Sequence, residues 1–109
     1  MIHHVVLCKF KTGLTAAAES RVVEELMRQT RSRLLRIPEC LTVQCGKRIE
    51  ADNDWGVFFS VDYETLAKMR LAQKSTAYEK FLHEVIDAQA IEQLSMTYEL
   101  EPGKKVKYS

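Results

Sequence analysis

The segment Ile2-His3-His4-Val5-Val6-Leu7-Cys8-Lys9-Phe10-Lys11 constrains the fold of this chain more than any other. Val, Leu and Phe crowd a short run that ends near Gly13, which predicts a β-strand. Side chains on a strand alternate between faces. His4, Val6, Cys8 and Phe10 therefore share one face, and His3, Val5, Leu7 and Lys9 share the other. Both faces are apolar at the centre, so both need cover. In a chain of 109 residues, one domain by the usual length prior, that points to a partner.

Charge excludes some classes of partner. Lys and Arg number 16 against 15 Asp and Glu, for a net charge of +1. A nucleic-acid binder normally shows a clearly basic domain or face, and none is expected here. The basic run Lys104-Lys105-Val106-Lys107 reads as a solvated terminus, residues 103–109, appended to a domain over 1–102. No stretch approaches the ~18 consecutive apolar residues of a membrane span. The N-terminus has no charged segment followed by an apolar one, so no signal peptide is expected. Cys8, Cys40 and Cys45 are odd in number and lack CxxC spacing. That predicts reduced thiols in a cytoplasmic protein, with Cys8 and Cys45 as small core residues.

The hydrophobic period changes along the chain. Thr15 is a candidate N-cap. From Ala16 to about Leu35, Val22, Val23, Leu26, Met27, Thr30 and Leu34 recur at helical spacing. Glu24 and Arg28 are spaced for an ion pair on the opposite face. Pro38 disfavours helix at Ile37 and ends the element. Leu41 to Lys47 reads as a second strand, with Gly46 marking a bend or bulge. Glu50 to Asp54 reads as a turn. Trp55 to Val61 reads as a third strand, antiparallel to the second, with Trp55, Val57, Phe59 and Val61 on one face. Leu66, Met69 and Ala72 predict a short helix. Ser75 or Thr76 can cap another that carries Phe81, Leu82, Val85 and Ile86. Ile91 to Leu100 reads as the last strand, of undetermined register.

The predicted order is strand, helix, strand, strand, helix, strand. This is the ferredoxin-like βαββαβ arrangement, an α+β fold. Its four-stranded antiparallel sheet carries both helices on one face. The other face would expose Val5, Leu7 and Phe58 among His3, Thr42, Gln44, Ser60 and Asp62. An exposed apolar patch of this kind marks an interaction surface. A two-fold homodimer stacking two such sheets covers it, with His3, Val5, Leu7, Thr42, Gln44, Phe58 and Ser60 at the interface. The alternative is a monomer with a half-polar outer face.

The opening Ile2 to Lys11 segment also resembles the start of the stress-responsive α/β-barrel (Dabb) family. Ile37-Pro38, Gly46, Val61-Asp62-Tyr63-Glu64, the stretch from Met69 to Phe81 and Tyr98-Glu99 match further family features in order. The resemblance covers roughly residues 1–102 and implies a ferredoxin-like protomer in a dimeric α/β barrel. It also exposes departures. Members commonly carry Tyr-x-x-His-Pro-x-His in the second helical region, and those positions fall on Ala72, Ser75, Thr76 and Tyr78. A further family histidine falls on Val57. Only the first-strand histidine, His4, is retained. In the plant polyketide cyclase of the family, a tyrosine and a histidine at two of these positions assist an aldol closure. Such a step needs a base with a pKa near working pH. A tyrosine, with a reference pKa of ~10, is protonated there. The cyclase mechanism is therefore not expected to transfer.

What remains is a set of candidates. His4, Val6, Cys8, Leu41, Val43, Val57, Phe59, Tyr78 and Phe81 would line any ligand pocket between sheet and helices. Alternatively, Trp55, Phe59 and Phe81 fill that space themselves. His4 and Tyr78 are the catalytic candidates if the protein is a cofactor-free cyclase, isomerase or monooxygenase-like enzyme. His3 and His4 diverge to opposite faces and cannot readily chelate one ion, and His83 is expected to face solvent. No phosphate loop, Ser-His-Asp set or metal motif is visible, so neither cofactor nor metal is expected. The reading favoured is a homodimer that binds a small apolar molecule, with an enzyme or a purely structural module as alternatives.

Overall fold

The computed structural model describes residues 1–11 and 13–103; the basic tail at 104–109 lies outside them. Nine elements follow in order. They are β1 (Ile2–Phe10), α1 (Ala16–Leu34), β2 (Thr42–Lys47), β3 (Val57–Tyr63), α2 (Leu66–Gln73), α3 (Thr76–Phe81), a π-helical turn (Leu82–Ile86), α4 (Asp87–Gln89) and β4 (Ala90–Glu99). The strands form one antiparallel sheet in the order β2-β3-β1-β4.

Local chemistry explains the boundaries. Thr15 is extended, and its Oγ1 accepts the Ala18 N–H at 3.1 Å, which caps α1. Val23, Leu26, Thr30 and Leu34 form the buried stripe of that helix. Thr30 tolerates burial because its hydroxyl donates to the Leu26 carbonyl at 2.7 Å. Beyond Leu34, the N–H groups of Arg36 and Ile37 fold back onto Arg33 and Leu34. That turn buries Ile37 just before Pro38. Arg28 pairs with Glu25 at 2.6 Å rather than with Glu24; three residues of spacing serve as well as four.

Three expectations for the β2–β3 region need correction. The third strand begins at Val57, not Trp55, and runs on to Tyr63. The loop before it is tied by its own side chains: Asn53 Oδ1 accepts the Trp55 N–H at 3.0 Å, and the Arg48 guanidinium reaches the Asn53 carbonyl. Gly46 makes no bulge. It pairs in register with Phe58, and a Cβ there would run into the Phe58 ring. The ladder's irregularity instead falls between Lys9 and Phe10. The second strand also starts one residue later than expected, at Thr42.

The second helical region is segmented. Thr65 caps α2 and Ser75 caps α3, each by accepting a backbone N–H three residues on. A π turn follows, closing residue i to i+5. It keeps Phe81, Val85 and Ile86 in the core, with Phe81 and Ile86 fully buried. The core lies between the helices and the face of the sheet that carries Val6, Cys8, Val57, Phe59, Val61 and Tyr63.

Candidate functional site

The helix-facing side holds most of the residues the sequence nominated for a pocket. Val6, Cys8, Val57, Phe59, Tyr78 and Phe81 are buried in one cluster, with Val43 packed at its edge. The Phe81 ring meets Phe59 edge-on, with centroids 5.4 Å apart and planes at 84°. It meets Tyr78 at 6.0 Å and 61°. These are favoured aromatic geometries, and the rings occupy the centre of the layer. Leu41 stands apart, exposed ahead of β2.

His4 is half-buried on the same face, opposite Val61 on β3 and Thr97 on β4. Its Nδ1 lies 2.8 Å from Thr97 Oγ1. Burial, and secondarily the neighbouring His3, push its pKa below the ordinary imidazole value. The ring is therefore neutral at pH 7 and keeps a nitrogen able to accept a proton. Tyr78 behaves differently. Burial pushes its phenol up to about 12, so at neutral pH it donates hydrogen bonds and is no base. Burial also raises Tyr63, whose hydroxyl is approached by the Cys40 thiol at 3.9 Å, and raises Cys40 itself. The Cys8 thiol is pushed up to about 12 by the same cause. The two catalytic candidates thus have different partners: His4 pairs with β4, and Tyr78 packs on Phe81.

The residues onto which the Dabb resemblance maps cyclase positions are placed as follows. Ala72 is fully buried. The Ser75 hydroxyl donates to the Ala72 carbonyl at 2.6 Å and accepts the Tyr78 N–H at 3.2 Å, so capping α3 uses it. Val57 is core. Thr76 opens α3 and is exposed, and so is His83.

The outer face is organised by register into three rows across all four strands. They read Thr42-Asp62-His3-Tyr98, Gln44-Ser60-Val5-Met96 and Gly46-Phe58-Leu7-Leu94. His3, Val5, Leu7, Thr42, Gln44, Phe58 and Ser60 all stand on this face. Ser60 is nevertheless 2 % exposed, because larger neighbours cover its small side chain. His3 Nδ1 lies 2.6 Å from Asp62 Oδ1. Leu94, Met96 and Tyr98 of β4 enlarge the apolar surface. Sequence reading missed them, and Thr97 as the partner of His4, because alternation alone does not say which set faces which way. A one-residue slip exchanges the two sets.

Among the described residues no group of His, Cys, Asp and Glu is placed to hold a metal ion. No described helix is long and apolar enough to cross a membrane. No family model matches the sequence, and no curated protein does. Solved structures do match. A dimeric protein of unknown function and ferredoxin-like fold from Bacteroides fragilis superposes with a TM-score of 0.77 at 11% identity, covering 91% of this chain and 95% of its own. The fold is ferredoxin-like. The same ferredoxin-like architecture recurs in a Dabb family protein from Mesorhizobium loti, with a TM-score of 0.74, 14% identity and coverage of 93% and 97%. It recurs again in a hydroxynitrile lyase from Passiflora edulis, with a TM-score of 0.74, 11% identity and coverage of 95% and 96%. Identities this low establish the ferredoxin-like fold and nothing finer, since one fold hosts many chemistries.

Proposed function

We propose that this protein is a homodimer of the stress-responsive α/β-barrel (Dabb) kind that binds a small, mostly apolar molecule and lacks the family's polyketide cyclisation chemistry. The domain spans 1–102, with 103–109 as an appended tail. The observation that carries the dimer is the outer sheet face. Val5, Leu7, Phe58, Leu94 and Met96 lie on two adjacent rows, while the helices pack on the opposite face. Stacking two copies about a two-fold axis buries both patches at once. The dimeric structure of the same fold from Bacteroides fragilis supports this reading. Free thiols at Cys8, Cys40 and Cys45 suit a reducing, cytoplasmic setting.

The absence of cyclase chemistry follows from the residues. Ala72 has no polar group, the Ser75 hydroxyl caps a helix, and Tyr78 stays protonated. Sedimentation at micromolar concentration tests the dimer, and a strictly monomeric protein would end that reading. Leu7→Glu places a charge in the middle of the patch and is expected to yield monomers; an unchanged dimer would mean that another surface is used. A thermal-shift screen of small apolar compounds tests binding, since a native-state ligand raises apparent stability. An intact dimer without a single hit would leave a structural or interaction module.

A second reading, a cofactor-free enzyme, draws on His4. Its neutral, half-buried imidazole has the protonation state of a general base, and Tyr78 could donate a hydrogen bond. An enzyme hit in the screen whose turnover survives both His4→Gln and Tyr78→Phe would remove that assignment.

A further inference from the structure

We infer that a shallow groove between the end of α1 and the α2–α3 junction binds an apolar molecule bearing one carboxylate. This rests on the small-molecule reading above and gives it a place and a ligand class. The groove encloses about 380 Å³. Its floor and walls are Ile37, Pro38, Leu71 and Ala77, and its charged lining residues are Arg36, Lys74 and Glu39. Leu71 is 62 % exposed. Single exposed leucines need no explanation. Here Leu71 joins a buried isoleucine and a proline in one concavity.

Charge selects the occupant. Neither Arg36 nor Lys74 belongs to an ion pair among the described residues. Glu39 offsets one of them, which leaves one net positive charge beside an apolar trough. A neutral apolar ligand would gain nothing from that charge, and a dianion would meet Glu39. A single carboxylate on a short chain or ring satisfies both. At about 30 Å³ per water-sized unit, the volume suits roughly a dozen non-hydrogen atoms. The groove lies among the helices, away from the outer sheet face, so the proposed dimer leaves it open.

Octanoate is the probe, with octanol as its uncharged twin, each titrated into the full-length ¹⁵N-labelled protein. Octanoate is expected to move the amides of Ile37, Leu71, Lys74 and Ala77, with octanol binding more weakly. Arg36→Ala combined with Lys74→Ala should weaken octanoate about fivefold at low salt, the scale of two exposed ion pairs. Glu39→Gln should tighten it, which a purely structural role would not do. All three side chains are at the surface, and circular dichroism confirms that the variants fold. Equal binding of octanoate and octanol overturns the charge assignment. Octanoate shifts centred on His4 and Thr97 overturn the groove while leaving the small-molecule reading in place. No shift with octanoate, alongside hits for uncharged compounds in the thermal screen, does the same. Groove amides that move with protein concentration alone would make a second copy the occupant and overturn the proposal.

Discussion

The two faces of this sheet are built from the same four strands, yet only one is completed within a single chain. On the helix-facing side, Phe59, Val61, Tyr63 and Phe81 have no exposed surface. On the outer side, Val5, Leu7, Phe58 and Met96 are half-buried and Leu94 is 43 % exposed. Alternation places comparable apolar side chains on both. The difference comes from what each face meets. α1 and the segmented second helical region cover the first. The second is left to its own neighbours, which suffice to hide a serine but not a leucine. Packing is thus complete on one face and partial on the other.

Paired truncations test that contrast most severely. Phe81→Ala removes a ring that contacts both Phe59 and Tyr78, and it should cost roughly 3–5 kcal/mol in urea unfolding. Phe58→Ala should cost clearly less at concentrations where the chain is monomeric, and its effect should grow with protein concentration. Equal, concentration-independent losses would erase the distinction between the faces.

A smaller effect comes from Gly46→Ala. The added Cβ would meet the far edge of the Phe58 ring, which can swing away. Monomer stability should fall by about 1 kcal/mol, at the low end for overpacking. The displaced ring should also roughen the outer face and weaken self-association, measured by dilution in analytical ultracentrifugation. A tighter dimer would contradict this.

The smallest effect is in pH. His4 has a lowered pKa in the folded protein, so the unfolded chain binds its proton more readily. Its contribution to stability is complete above the ordinary imidazole value of ~6.5 and is lost as pH falls from there through the depressed folded value. Stability between pH 7 and 5 should therefore fall less steeply in His4→Gln than in the parent chain. Identical slopes would show that the burial of His4 carries no linkage.

Much of this architecture is legible in sequence because it depends on short-range rules. Thr15 and Ser75 announce helix starts through capping chemistry, and the strand period predicts which of Val6, Cys8, Val57 and Phe59 share a face. The misreadings share one cause. Trp55 continues an apolar alternation, but Asn53 and Arg48 hold its backbone in a loop. Leu94, Met96 and Tyr98 alternate plainly with Ser95 and Thr97, yet only pairing with β1 decides which set faces outward. The same pairing supplies Thr97 as the partner of His4, and the pairing of β1 with β3 supplies Asp62 as the partner of His3.

For the candidate pocket the separation is similar. The sequence by itself determined the order of elements and the sharing of faces within each strand, because periodicity and side-chain identity are local properties. The tertiary structure decided that Phe81 packs on Phe59 and Tyr78 in the middle of that layer. It also decided that an apolar, charge-edged groove opens at the end of α1. Both depend on how elements distant in sequence meet, and no single segment carries that information.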